Sequence, residues 1–184
     1  MTPGLAGARA TLASYQPAVP AQAAVRDEMI AFCDAHPDAL LRTCAPGHLT
    51  GSAVVLDATG AHVLLMLHRK LGRWLQMGGH CDGDGDLAAV ALREATEESG
   101  IAGLRLLPEP VDLDIHPVPC PPGHAGRHLD VRYVALAPPG VAAPGNRESI
   151  AVRWFPLDRL PTGSDPGTRR MVEAAVARAG ASRP

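Results

Sequence analysis

Between Asp86 and Ile101 the chain carries a helix signal with an unusual charge pattern. Leu87, Ala88, Ala91, Leu92 and Ala95 fall on one side of a helical wheel, a side that must face a core. Asp86 suits the N-cap, and Gly100 suits the left-handed residue after the last turn. The opposite side holds Glu94, Glu97 and Glu98 at i, i+3 and i+4. Like charges at that spacing oppose a helix by about 0.2–0.5 kcal/mol per pair. Arg93 can reach Glu97, but with the cation on the N-terminal side, the weaker orientation. A solvated charged face is the ordinary use of such a run. The alternative is a cation seated on the carboxylates, and all-oxygen donors suit the hard ions Mg²⁺ and Mn²⁺.

A chain of 184 residues supports one buried core with a short appendage. The net charge of -2 gives no basic field for nucleic acid or an acidic membrane, and 3% aromatics leaves little for base stacking. No stretch approaches the roughly 20 apolar residues of a membrane span. The first residues lack a charged start followed by an apolar run, so no secretory signal is read there. Cys33, Cys44, Cys81 and Cys120 are widely spaced with no Cys-x-x-Cys pair, which fits free thiols in a reducing cytoplasm. Lys70 is the only lysine among 17 basic residues, and Ala, Gly and Pro abound, which points to a GC-rich, bacterial-type genome.

Residues 1–20 are Ala/Gly/Pro-rich and read as a loose arm. Val25, Met29, Phe32 and Cys33 mark a helix over 21–36, and a short helical try spans 38–42 between Pro37 and Pro46. Strands are expected at 49–57 and 62–68, joined by a turn at Ala58-Thr59-Gly60, and at 74–77 before Gly78-Gly79. After the acidic helix come strands at 104–107, 111–115, 129–136 and 150–155, with Pro/Gly loops at 117–126 and 137–146. A closing helix covers 168–179, capped by Asp165 or Thr168. Strands, one helix, strands and one helix make a mixed-sheet α/β (α+β) fold, not a doubly wound one. Neither common phosphate loop, Gly-x-Gly-x-x-Gly nor Gly-x-x-x-x-Gly-Lys-Ser/Thr, is present.

Upstream of the acidic turn the spacing acquires a frame. Gly79 precedes Arg93-Glu94 by fourteen residues, and Ala95, Glu97, Glu98, Gly100 and Ile101 follow. This resembles the signature of the Nudix hydrolase family: Gly, five residues, Glu, seven residues, Arg-Glu-aliphatic-x-Glu-Glu-x-Gly-aliphatic. The lead-in Gly72 to His80 and the tail Val152 to Asp158 also look like the family's strand entry and closing strand. The resemblance spans roughly residues 48–160. It implies a mixed sheet sandwiched between helices, with 1–47 as an N-terminal arm and helical extension and 161–184 as a C-terminal helix on the same domain. One position departs: the signature's first Glu falls on Gly85, between Asp84 and Asp86. In the family that Glu braces the loop against the motif's Arg, and an adjacent Asp is the natural substitute. Met77 replaces a frequent proline.

The resemblance implies an Mg²⁺- or Mn²⁺-dependent pyrophosphohydrolase that cleaves a nucleoside diphosphate linked to another group. Arg93, Glu94, Glu97 and Glu98 are the expected catalytic residues. Gly79, Glu94, Glu97 and Glu98 are the expected metal ligands, with Glu148 as a further acidic one from a later loop. Arg69 and Arg73, with Lys70 beside them, match substrate phosphates, and His80 and His128 complete the substrate-binding expectation. Candidate substrates are ADP-ribose, nucleotide sugars, oxidised nucleoside triphosphates and dinucleoside polyphosphates, with a homodimer as a possible assembly. Gly85 favours the alternative, a non-catalytic nucleotide-binding or regulatory module; the retained glutamates and Arg93 weigh against it.

Other groupings carry less. His116, Cys120, His124 and His128 recur every four residues, but Pro117, Pro119, Pro121 and Pro122 forbid the helix that would align them, so a zinc set is not expected there. His128 and Asp130 read as groups on a strand facing the cleft. Trp74, Tyr133 and Trp154 are the aromatics able to stack on a base, though each more often serves as sheet core.

Overall fold

The computed structural model describes residues 1–119 and 125–181. Helices α1 (Pro3–Ser14) and α2 (Pro20–Ala35) precede strands β1 (His48–Leu56), β2 (His62–His68), β3 (Trp74–Leu75) and β4 (Met77–His80). Helix α3 (Leu87–Ser99) follows. Then come β5 (Arg105–Leu106), β6 (Asp112–Pro119), β7 (Ala125–Leu136), β8 (Ser149–Pro156) and α4 (Pro166–Ala181). The strands form one mixed sheet in the order β3-β2-β1-β7-β5, with β4 on β1, β6 on β7 and β8 on β2. The β1–β7 pair is parallel and runs in register from His48↔His128 to Leu56↔Leu136; the other pairs are antiparallel.

Alternation along these strands separates two cores. On one face Leu49, Ala53, Val55, Leu129, Val131 and Tyr133 pack with α1, α2 and α3. On the other, Val54, Leu56, Val63, Leu65 and Val134 pack with Met171, Val172 and Ala175 of α4. Gly51 lets α3 lie against β1, because a Cβ there would stand 2.9 Å from the Leu87 carbonyl oxygen. Among the described residues no helix is long and apolar enough to cross a membrane.

The α4 face also carries charge. Arg132 is buried at 2% exposure and donates to Asp130 (2.8 Å), Asp112 and Asp114 (both 3.0 Å) and the Gly167 carbonyl (3.1 Å). Arg170 of α4 donates to the same Asp112 and Asp114, so the network ties α4 to β6 and β7. A buried guanidinium is tolerable only with its donors matched in this way.

Three expectations need correction. The first twenty residues are not a loose arm: Thr2 caps α1, Pro3 opens it, and Leu5, Ala8 and Leu12 are fully buried. Their i, i+3, i+7 spacing was a helix signal that the small-residue composition masked. Residues 38–42 form turns, not a helix. The loop expected from 117 is instead strand, as β6 continues to Pro119 and β7 starts at Ala125. Prolines fit there because β6 pairs with β7 alone, and a sheet-edge residue needs no outward N–H. Cys120 and His124 lie outside the described residues.

Candidate active site

Helix α3 forms as its sequence dictates. The Asp86 side chain accepts from Ala89 N–H at 3.0 Å, and Gly100 takes φ 71° at the end. Its acidic face meets β4. Glu98 is buried at 4% exposure and accepts a 2.8 Å bond from Gly78 N–H. Burial, with added repulsion from Glu148, Glu94 and Glu97, pushes its carboxyl up to about 8 despite that bond. Glu94 is half-buried against Gly79, where a Cβ would fall 2.3 Å from its Oε2. Gly79 is therefore required by the carboxylate itself, not by a turn. Glu97 is exposed on the same face.

Arg93 bonds the Glu94 Oε1 at 3.0 Å and the His80 carbonyl at 2.9 Å, spanning helix and strand. The i+4 pairing with Glu97 read from the bare helix gives way to this one, because β4 supplies a fixed carbonyl beside Glu94. Glu148 is exposed just before β8, and its charge is among those acting on Glu98. Arg69 donates to the Arg147 and Ser149 carbonyls (3.1 and 2.9 Å) and holds that segment, while Arg73 pairs loosely with Asp165 at 3.3 Å. Lys70 is exposed beside them.

Gly85 has a physical explanation. A Cβ there would stand 1.9 Å from the Gly4 carbonyl oxygen, so the first turn of α1 fills the space a side chain would need. The loop is braced by other means. Arg42 grips Asp82 with two bonds of 2.6 and 2.7 Å, Gly83 N–H donates to the Leu40 carbonyl at 3.0 Å, and Asp84 approaches Arg93 at 4.0 Å. Arg42 was not singled out in the sequence; nothing local marks it, since its partner is forty residues away.

His80 and His128, expected to bind substrate, stand with His48 and His116. Their ring centroids lie 4.9–5.5 Å apart in the pairs His48–His128, His48–His80, His80–His128 and His116–His128. His48 was not singled out in the sequence, because strand pairing alone groups it with the other histidines. Asp130 does not face open space: it accepts from Thr50 (3.0 Å) and Ser52 (2.8 Å) as well as Arg132. Trp74 packs edge-on to Phe155, and Tyr133 is fully buried. Trp154 lines a groove of about 420 Å³ with Asp57, His62 and Pro138, to which no acidic-helix residue contributes.

The site is thus a carboxylate-bearing helix packed against a glycine strand of a mixed sheet, with Arg93 bonded to both. The comparisons with known proteins give the family. The model of the NUDIX domain matches residues 47–175. A NUDIX-family hydrolase from Clostridium perfringens superposes with a TM-score of 0.58 at 23% identity, covering 72% of this chain and 97% of that one. An Ap4A hydrolase from C. elegans gives 0.59 at 16% identity, covering 72% and 98%. The E. coli dihydroneopterin triphosphate pyrophosphohydrolase gives 0.59 at 17%, covering 71% and 95%. No curated protein matches the sequence. The chain belongs to the NUDIX family and is a Nudix-type hydrolase.

Proposed function

We propose that the protein hydrolyses the pyrophosphate bond of a nucleoside diphosphate linked to another group, with Mg²⁺ or Mn²⁺. The observation that carries this reading is the meeting of Glu94 and a buried Glu98 with the Gly78-Gly79 strand, with Glu97 exposed on the same helix. The donor set fits the ion: oxygens only, and a buried carboxyl whose ionised form is disfavoured until a cation joins it. Glu94, Glu97, Glu98 and the Gly79 carbonyl would hold the metal, with Glu148 as a further ligand from its loop. When bound, the ion neutralises phosphate charge and makes water a better nucleophile.

The chain's own residues do the rest. Arg93 fixes the Glu94 carboxylate by bonding it and the β4 backbone together. Glu97, the exposed member, is the carboxylate best able to take a proton from an attacking water. Arg69 and Arg73 supply positive charge for the substrate's phosphates, and Arg69 also positions the segment that carries Glu148. Dinucleoside polyphosphates and nucleoside triphosphates join ADP-ribose and nucleotide sugars as the substrate classes to screen. Cys33, Cys44 and Cys81 are free and buried, consistent with a reducing cytoplasm as the setting.

The test is Glu97→Gln. Turnover should fall by several orders of magnitude with an unchanged circular dichroism spectrum and melting curve. Near wild-type turnover would sink the assignment. Gly85 supports one rival, a module that binds a nucleotide derivative without cleaving it. Binding with no product across the substrate screen, in Mg²⁺ and then Mn²⁺, would favour that rival.

A further inference from the structure

The four histidines form a second constellation, on the other side of the sheet from the glutamates. Register sets it. His48 pairs with His128 across β1 and β7, and His128 with His116 across β7 and β6, so three imidazoles line one row. His80 enters from β4, paired with Thr50, two residues along β1 from His48. Gly51 and Gly79, the partners on the next rung, turn toward α3 and Glu94. His80 and Thr50 therefore face away from α3, toward the α4 side where Thr50 and Arg132 bond Asp130.

One ring nitrogen from each of His48, His80 and His128 lies within 4.8 Å of the other two. His48 is 8% exposed, and neither of its ring nitrogens has a hydrogen-bond partner among the described residues. Leaving a buried donor or acceptor unpaired costs about 1–3 kcal/mol per group, so a nitrogen pair held this way is unusual unless something else satisfies it. Burial lowers the His48 imidazole from its ordinary value, and burial and then its imidazole neighbours hold His128 down to about 3. Neutral imidazole is the form that binds metal. The His116 Nδ1 bonds Asp114 at 2.8 Å, a carboxylate–imidazole contact at the edge of the cluster.

We propose that His48, His80 and His128 bind a zinc-class divalent transition metal at a site separate from the acidic-helix site. Three nitrogen donors with a fourth position open is a common zinc arrangement, and imidazoles select Zn²⁺, Ni²⁺ or Cu²⁺ over Mg²⁺. Metal–nitrogen bonds of about 2.0–2.1 Å place tetrahedral ligands about 3.3 Å apart, a closure that ring rotation on three strands can supply. The ion cross-links β1, β4 and β7 at one end of the sheet, and through His80 it bears on the backbone next to Gly79.

The experiment uses the untagged full-length chain stripped with a chelator, titrated with Zn²⁺ against a chromophoric competitor. One equivalent should bind, millimolar Mg²⁺ should not displace it, and a Glu94→Gln, Glu97→Gln, Glu98→Gln triple variant should retain it. His48→Ala and His128→Ala should each weaken binding by about 100-fold or more, beyond the 10–100-fold typical of losing a supporting contact. His80→Gln, at a half-exposed position, covers the case in which a buried variant does not fold. Co²⁺ added to the wild type provides a readout without substitution: the strong visible bands of a four-coordinate nitrogen-bound ion are expected. Zn²⁺ binding that is lost in the glutamate variant, that survives His80→Gln unchanged, or that gives only the faint bands of six-coordinate cobalt overturns the proposal.

Discussion

Replacing Glu98 by Gln should make the metal-free protein more stable, although it removes a carboxylate from the centre of the site. Its carboxyl is raised from 4.5 to about 8, chiefly by burial. Below pH 4.5 the group is neutral in both folded and unfolded chains and contributes nothing. Between pH 4.5 and 8 the unfolded chain ionises while the folded one keeps its proton. Stability then falls with rising pH by up to about 1.4 kcal/mol per unit, and above pH 8 the full penalty remains. A rise of this size corresponds to about 5 kcal/mol against the ionised form, a large share of the roughly 5–15 kcal/mol that holds a domain folded. Glutamine keeps an acceptor for Gly78 N–H without the charge. Urea unfolding in EDTA from pH 4.5 to 8.5 should show no difference at the acid end. At pH 8 the variant should be more stable by about 2–5 kcal/mol. Mg²⁺ or Mn²⁺ should then stabilise the wild type by mass action, with release of a proton below pH 8, and stabilise the variant far less. A variant no more stable than wild type at pH 8 in EDTA, or a difference that ignores pH, would refute the reasoning.

Other consequences follow from contacts already described. Gly85→Ala should lose about 1–3 kcal/mol in denaturant melts, because its Cβ meets the Gly4 backbone, and Gly85→Glu should not restore the family's pattern of activity. Gly79→Ala should displace the Glu94 carboxylate and lower metal-dependent turnover while the melting curve moves little; unchanged kinetics would remove the glycine from the site. Arg132→Met should cost about 3–5 kcal/mol by stranding Asp130 and Asp112, measurable by urea titration. Asp114 is held well below the usual carboxylate range, with burial opposed by His116, Arg132 and Arg170. Its contribution is thus present above about pH 4 and lost on further acidification, so Asp114→Asn should flatten the acid limb of the stability curve.

The sequence by itself determined what is local. Helix α3 announced its cap, its stop and its acidic face, because those depend on residues three and four apart. The spacing from Gly79 to Ile101 gave the family and with it the sandwich. Strand positions are readable to within a few residues from apolar runs and turns, except in β6, whose edge-strand prolines carry a loop signal. Only the tertiary structure decided which face each glutamate meets. Glu98 became the buried, proton-holding one because β4 crosses it, while Glu97 stayed in water. The reason Gly85 cannot carry a side chain lies far upstream, at Gly4. The histidines illustrate the same limit. His48, His80, His116 and His128 sit on four strands with nothing in common in sequence, and a four-residue helical spacing has no meaning where His116 and His128 pair across β6 and β7. Strand register, fixed by long-range pairing, is what sets His48, His116 and His128 in one row and brings His80 beside it.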